Sequence, residues 1–353
     1  MSKQDRIKEL VELLNKAGRA YYQESREIMS NYEYDRLYDE LVRLEEETGV
    51  TLAGSPTVTV GYEAVDELPK ETHEKPMLSL AKTKDREELK VWLNGKEALL
   101  SWKLDGLTIV LTYEEGKLMK AVTGGNGEVG EVITPNAKVF VNVPLQIPFK
   151  GSLVLRGEAV ITYSDFEEIN NQLSEDEEKY KNPRNLCSGS VRQLNNEITA
   201  KRNVCFYAFS LVKASLNDEE KEWTNDKENQ YLFLKEQGFE IVEYLRVNPD
   251  SILEGINNYE KKISQFDVPT DGLVLTLCDI DYAKSLGRTA KFPRDSIAFK
   301  WQDETKETIL KEIEWSPSRT GLINPVAIFE PVELEGTTVS RASLHNISIM
   351  KNM

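Results

Sequence analysis

The sequence predicts an α+β protein, with an N-terminal helical module followed by mixed, mainly antiparallel sheets and flanking helices. Three observations predict it. Apolar residues in the first 48 positions recur with the helical period. From Leu99 onward they recur with the period of strands. Strands and helices then mix without a regular βαβ rhythm, which disfavours a doubly wound sheet.

Taken in order, Ile7, Leu10, Val11 and Leu14 fall at i, i+3, i+4 and i+7, the apolar stripe of an amphipathic helix. A second helix starts after Ser30, which with Glu33 makes a capping box. Tyr34, Leu37, Tyr38, Leu41 and Leu44 continue one face, and Gly49 stops it. Residues 51–80 carry Gly54, Pro56, Gly61, Pro69 and Pro76 and read as a connector. Leu99–Asp105 and Leu107–Tyr113 read as strands, joined through Glu114, Glu115 and Gly116 to Leu118–Val122. A glycine-rich loop follows from Thr123 to Gly127. Leu153–Ile161 is a further strand, and Ser164 caps a helix that runs to Leu173. Ser174–Lys179 is an acidic turn; Val204–Val212 and Gly272–Leu277 are strands. After Ile313, Val326–Phe329 and Thr337–Arg341 look like the first strands of a small β domain, incomplete at Met353. The expected domains are 1–66, 67–314 and 315–353.

Composition narrows the classes. A chain of 353 residues, 40 % hydrophobic, can build two or three modest cores. No apolar run reaches the length of a membrane span, and the first ten residues are charged with no secretory core, so a cytoplasmic location without membrane association is expected. Cys187, Cys205 and Cys278 are odd in number and never in a CxxC pair, which argues against disulfides and zinc. With only His73 and His345, no metal site built on side chains is expected. A net charge of −16 means that nucleic acid could be held only through a local basic patch.

The chemistry centres on Ser101-Trp-Lys-Leu-Asp-Gly106. On a strand, Lys103 and Asp105 would project to one side, and Gly106 would allow a close backbone approach. A lysine that attacks phosphorus must be neutral at that moment. Taken alone, the segment also reads as a strand with an exposed Lys–Asp pair. It is followed, however, by Arg156-Gly-Glu158 ending a strand, Asp271-Gly-Leu-Val274 beginning one, and Phe299-Lys-Trp301 ending another. That order resembles the nucleotidyltransferase motifs of DNA ligases and mRNA capping enzymes. Lys181–Leu194, Glu330–Asn346, Pro76–Leu80 and Ser55–Thr57 are similar to blocks of the NAD-dependent bacterial DNA ligases, and the resemblance covers nearly the whole chain. Tyr21-Tyr22 and Glu33–Leu37 resemble the helical module that sets the NAD-using enzymes apart from those using ATP.

The resemblance implies a ligase/capping-enzyme fold of helical module, nucleotidyltransferase domain and the start of an OB fold. It implies DNA replication and repair as setting, with NAD and Mg²⁺ as cofactors and nicked double-stranded DNA as partner, bound weakly by this chain alone. No protein partner is evident. Lys103 would take AMP from NAD and release nicotinamide mononucleotide. AMP would pass to a 5′-phosphate, and the 3′-OH would seal the nick. Asp105 and Lys300 would assist, Lys300 on the α-phosphate, where a like charge disfavours protonation of Lys103. Glu158 would hold the ribose and Phe209 would stack on adenine, while Ser79, Leu80, Ser101 and Val274 would line the pocket. Tyr21, Tyr22, Tyr34 and Asp35 would take the nicotinamide side. Arg184, Arg192 and Arg202 would face phosphates of DNA.

The chain departs from the family pattern at five places. Ser101 stands where a Glu reads the adenine amino group, Gly124 where an Arg is found, Asn126 where an Asp is found, Asn31 where an Asp is found, and Thr276 where a second motif lysine is found. Of these, Thr276 is expected to matter most, as a cation missing from the phosphate clamp. The alternative reading is therefore a divergent ligase-like protein that binds NAD or AMP with little or no sealing activity.

Overall fold

The computed structural model describes residues 2–24, 28–58, 65, 67–174, 177, 179–301, 306–317, 323–334 and 337–344. The chain divides into two compact units, Met1–Lys300 and Trp301–Met353. The fold is α+β. No helix among the described residues is long and apolar enough to cross a membrane.

Helices α1 (Lys3–Glu24) and α2 (Asn31–Thr48) form the expected hairpin. The Ser30 hydroxyl accepts from the Glu33 N–H, and Gly49 closes α2 at φ 68°. Ile7, Leu10, Val11 and Leu14 pack against Leu37, Leu41 and Leu44, all buried. The stretch read as a connector holds two short strands, β1 (Thr51–Leu52) and β2 (Lys70–Thr72). Then come β3 (Ala81–Thr83) and α3 (Arg86–Leu93). Strands this short carry no readable period and exist only through their partners.

The central run is β4 (Ala98–Leu104), β5 (Leu107–Glu114), β6 (Lys117–Thr123), β7 (Val129–Glu131), α4 (Thr134–Ala137), β8 (Pro144–Gln146) and β9 (Leu153–Val160). It continues with α5 (Tyr163–Gln172), α6 (Pro183–Val191), α7 (Asn196–Ala200), β10 (Cys205–Ala214), α8 (Asp218–Trp223) and α9 (Lys227–Glu236). The unit closes with β11 (Tyr244–Val247), α10 (Ile252–Lys262), β12 (Thr270–Leu277), α11 (Ile280–Leu286) and β13 (Ser296–Phe299). Helix α5 is capped by Thr162, not Ser164: the Thr162 hydroxyl accepts from the Asp165 N–H. Because β9 ends at Val160, the first hydroxyl after the strand takes the capping position.

Two sheets result, a six-stranded one in the order β1-β8-β6-β5-β9-β10 and a five-stranded one in the order β11-β4-β12-β13-β3. Every pair in them is antiparallel except β13 with β3. The main core lies against the six-stranded sheet, around Ile109, Leu111, Tyr113, Leu153, Leu155 and Phe206. In the five-stranded sheet Trp102 anchors β4. Its ring stacks on Phe266 and meets Tyr259 edge-on, both at 4.5 Å, and its indole N–H donates to Glu243 at 2.9 Å. Truncating such a ring costs about 3–5 kcal/mol. Strand alternation then turns Ser101 and Lys103 to the opposite face.

The second unit holds β14 (Leu310–Pro317), β15 (Ile323–Leu334) and β16 (Thr337–Ser343), an antiparallel sheet in that order. Strand β14 runs through residues 314 and 315.

Candidate active site

Lys103 is the next-to-last residue of β4. In register with it on β12 is Gly272. A Cβ at Gly272 would lie 2.1 Å from the Phe299 carbonyl, so this glycine lets β13 close on β12. Lys300 follows β13, and its N–H donates to the Thr83 carbonyl at 2.9 Å. Both lysines thus reach the end of one face, where Asp271 joins them. Lys103 Nζ donates to Asp271 Oδ1 at 2.7 Å and Lys300 Nζ to Asp271 Oδ2 at 2.8 Å. Burial pushes the Asp271 carboxyl up, but the two lysine hydrogen bonds outweigh it and hold the group below its ordinary 3.8.

Asp271 was given no role of its own in the sequence reading. It sits in the Asp-Gly pair that begins β12, and only the register of β4, β12 and β13 shows that it bridges two lysines.

Asp105 lies beyond the end of β4, not on it. Its N–H donates to the Pro269 carbonyl at 2.8 Å, and its Oδ1 accepts from Arg184 Nη1 at 2.6 Å. Arg184 is on α6, whose first turn is set by the Asn182 cap and Pro183. A Cβ at Gly106 would lie 1.9 Å from the Ala159 carbonyl, so the backbone approach expected at this glycine is to β9.

That approach places Glu158. Its carboxylate accepts from the Gly106 N–H at 3.1 Å and the Thr108 hydroxyl at 2.8 Å. Desolvation pushes it up to about 7, against the opposing pull of those two bonds and of Lys103 and Arg184. A carboxyl with this environment can accept from a hydroxyl of a bound molecule. Phe209 sits at a bulge in β10, between Ala208, paired with Gly157, and Ser210, paired with Arg156. A bulge re-aims the side chain it carries. The Phe209 carbonyl accepts from the Tyr231 hydroxyl at 3.0 Å.

Ser101 and Val274 are in register on β4 and β12. Ser101 is buried and Val274 half-buried. Ser79 is exposed and Leu80 half-buried, just before β3. Thr276 is paired with Leu99, four residues from the Gly272 position, which is about 13 Å along a strand. It lies diagonally across from Ser101, whose own partner on β12 is Val274. Gly124 donates its N–H to the Thr108 carbonyl at 2.7 Å, and Asn126 Oδ1 accepts from the N–H groups of Glu128 and Val129.

Arg192 is held by Glu131, with Nη2 donating to Oε1 at 2.7 Å. Arg202 lies 5.0 Å over the Tyr180 ring and donates to its hydroxyl at 2.9 Å. Tyr34 and Asp35 lie on α2, the first half-buried and ring-stacked with Tyr38 at 6.4 Å, the second exposed. Tyr21 and Tyr22 fall within α1, but their side chains, like that of Asn31, lie outside the described residues, as does His345. Cys187, Cys205 and Cys278 are free thiols.

This geometry is accompanied by clear relationships to known proteins. Residues 65–304 match the NAD-dependent DNA ligase adenylation domain. Residues 307–353 match the NAD-dependent DNA ligase OB-fold domain, and residues 1–61 the DNA ligase-like N-terminal NAD⁺-binding domain. The chain is 65 % identical over 351 residues to a DNA ligase of Lachnoclostridium phytofermentans, covering 99 % of this chain and 53 % of that protein. It is 63 % identical over 347 residues to a DNA ligase of Ruminiclostridium cellulolyticum, covering 98 % of this chain and 52 % of that protein. The chain thus spans about half the length of these curated relatives.

Proposed function

The chain belongs to the NAD-dependent DNA ligase family, and from that premise we propose that it carries out the family's adenylation step with Lys103 as nucleophile. The Lys103 nitrogen forms a bond to the α-phosphorus of NAD. The bond from that phosphorus to the bridging oxygen breaks, nicotinamide mononucleotide leaves with the electron pair, and the lysine proton goes to solvent. AMP remains on Lys103 for transfer to the 5′-phosphate of nicked DNA, after which the 3′-OH displaces it and seals the strand.

The single observation that carries this reading is the Lys103–Asp271–Lys300 bridge, which sets two ammonium groups on the two oxygens of one carboxylate. An arriving phosphate replaces that carboxylate as their partner, so the ligand-free contact marks where phosphate charge is neutralised. Glu158 accepts from the ribose, and Phe209 offers its ring to the base. Asp271 and Asp105 are already engaged by Lys103, Lys300 and Arg184, so a Mg²⁺ ion would be held mainly by phosphates and water and would neutralise phosphate charge there. Tyr21, Tyr22, Tyr34 and Asp35 serve the nicotinamide side, and Arg184, Arg192 and Arg202 the DNA phosphates. The domain limits 1–66, 67–314 and 315–353 belong to the same proposal.

A second reading, an NAD or AMP binder with little sealing activity, is favoured by Ser101 and Thr276, which put hydroxyls where the family pattern has a carboxylate and a lysine. Release of nicotinamide mononucleotide separates the two. The adenylation step releases one equivalent from NAD with Mg²⁺ present, and ATP gives no lysyl adduct. NAD binding without release supports the second reading and contradicts the first.

A further inference from the structure

The pairing of β12 with β4 contains one irregularity. Thr270 is the partner of Leu104 and Gly272 the partner of Lys103, so Asp271 is an extra residue on β12. This is a β-bulge, and a bulge re-aims the side chain it carries. Here that side chain is the carboxylate that bridges Lys103 and Lys300. Gly272 follows at φ 155°, a backbone conformation that side chains rarely adopt.

One side chain spans the bulge. The Thr270 hydroxyl donates to the Lys103 carbonyl at 2.8 Å and to the Gly272 carbonyl at 3.0 Å, so one donor reaches both strands. The chain before Thr270 is fixed from several sides. Phe266 stacks on Trp102 at 4.5 Å. The Asp267 carbonyl accepts from the Tyr163 N–H at 2.8 Å, and its Oδ1 accepts from the Ser164 N–H at 3.0 Å. The Pro269 carbonyl accepts from the Asp105 N–H at 2.8 Å. Thr270 itself is half-buried, and its branched Cβ restricts χ1. Its hydroxyl is therefore a donor held in place.

We propose that Thr270 is a positioning residue for Lys103, and that its hydroxyl acts by clasping the bulge that carries Asp271. The proposal rests on the adenylation reading. A bulge interrupts the ladder between two strands, so the pairing around it needs another tie. The Thr270 hydroxyl supplies that tie at the carbonyl of the nucleophile itself and at the carbonyl next to the bridging carboxylate. Lys103 Nζ and the Asp271 carboxylate thereby keep one separation, and the lysine points at one place. Positioning of this kind is kinetically steep, because a misplacement of about 1 Å can cost about 10²-fold in rate. The hydroxyl can be tested apart from the shape of the residue. Valine matches threonine in shape and has no donor, whereas serine keeps the donor and loses one methyl group.

The test is single-turnover formation of the Lys103 adduct, followed against NAD concentration in the full chain, in Thr270→Val and in Thr270→Ser. The maximal rate of Thr270→Val is expected to fall at least about fivefold, with the NAD concentration for half-maximal rate within about threefold of the parent. Thr270→Ser is expected to keep the parent rate within about twofold. A smaller fall in Thr270→Val overturns the proposal, as does a change confined to the NAD requirement. A Thr270→Ser variant as slow as Thr270→Val overturns it too, since the methyl group and not the hydroxyl would then matter. If Thr270→Val does not fold, Thr270→Ala takes its place beside Thr270→Ser. If the parent forms no adduct with NAD, the adenylation reading fails by itself. Capture of Lys103 by pyridoxal 5′-phosphate and borohydride then decides the positioning, because that reagent brings a phosphate to Lys300 and an aldehyde to the Lys103 amine. Capture at least about fivefold slower in Thr270→Val than in Thr270→Ser supports the clasp, and equal capture overturns it.

Discussion

One end of the five-stranded sheet face holds Lys103, Asp271 and Lys300 in a continuous ionic bridge. Further along, Ser101 follows about 7 Å from Lys103 on β4, and Thr276 and Ser296 lie about 13 Å from Gly272 and Lys300 on β12 and β13. The same strands build both ends, with the same alternation and the same glycine-assisted closure. The difference lies only in side-chain chemistry. Two ammonium groups meet one carboxylate at the first, whereas hydroxyls sit at the second, with Arg246 in register with Leu99 and Asp295 accepting from Ser296 beside them. The departures from the family pattern at Ser101 and Thr276 fall in neighbouring rows of this face.

The comparison predicts that substitutions at the two ends act differently. Lys300→Ala should lower the rate of lysyl-adenylate formation by about 10²–10³, whatever the base, because one positioned cation is lost from the transferring phosphate. Rate measurements with NAD at saturation check this; a loss under about tenfold would break the assignment of the charged end.

Asp271→Asn should lower that rate by about tenfold and stability at pH 7 by about 1–2 kcal/mol, since two partly exposed ammonium groups then face each other without a counter-charge. Chemical denaturation and single-turnover rates give both values. Asp271 is depressed below 3.8, so its contribution is fully present above 3.8 and is lost as the pH falls below that through the lower folded-state value. The stability difference should therefore shrink in acid.

Glu158 has the opposite sign. Its carboxyl is raised from 4.5 to about 7, so the native state holds the proton more tightly than the unfolded chain. The contribution is full below pH 4.5 and is lost as the pH rises through about 7. Glu158→Gln should be more stable than the parent at pH 8, by about 1–3 kcal/mol, and no more stable at pH 4.5. Melting curves at the two pH values test it; an equal difference at both would contradict the burial that raises the group.

The smallest effect is expected at Arg192, engaged by Glu131 on an exposed surface. Arg192→Ala should change lysyl-adenylate formation by less than about twofold, while weakening capture of nicked DNA in a gel-shift assay. A loss of adenylation equal to that of Lys300→Ala would remove the distinction between reacting end and periphery.

Much of this arrangement was legible in the sequence, for particular reasons. Gly106 and Gly272 mark the two motifs because no Cβ fits beside the Ala159 and Phe299 carbonyls. The stripe from Ile7 to Leu14 announced α1 because a helix must bury one face. What could not be read depended on partners distant in sequence. Strands β1 and β2 are too short to show a period, so their stretch read as a connector. The Phe209 bulge exists only in the pairing of β10 with β9. Motif order carries no register, so the sequence did not show that Thr276 pairs with Leu99, two residues from Ser101. Asp271 was visible as a motif letter, but its bridging of two lysines requires three strands in place.

The most direct test is to incubate the protein with NAD and Mg²⁺ and locate the added mass by peptide analysis, in the parent and in Lys103→Ala. One AMP on Lys103 in the parent, and none on any residue of the variant, is the result expected. AMP on another residue, or an adduct that persists in Lys103→Ala, would contradict the assignment of Lys103 as nucleophile.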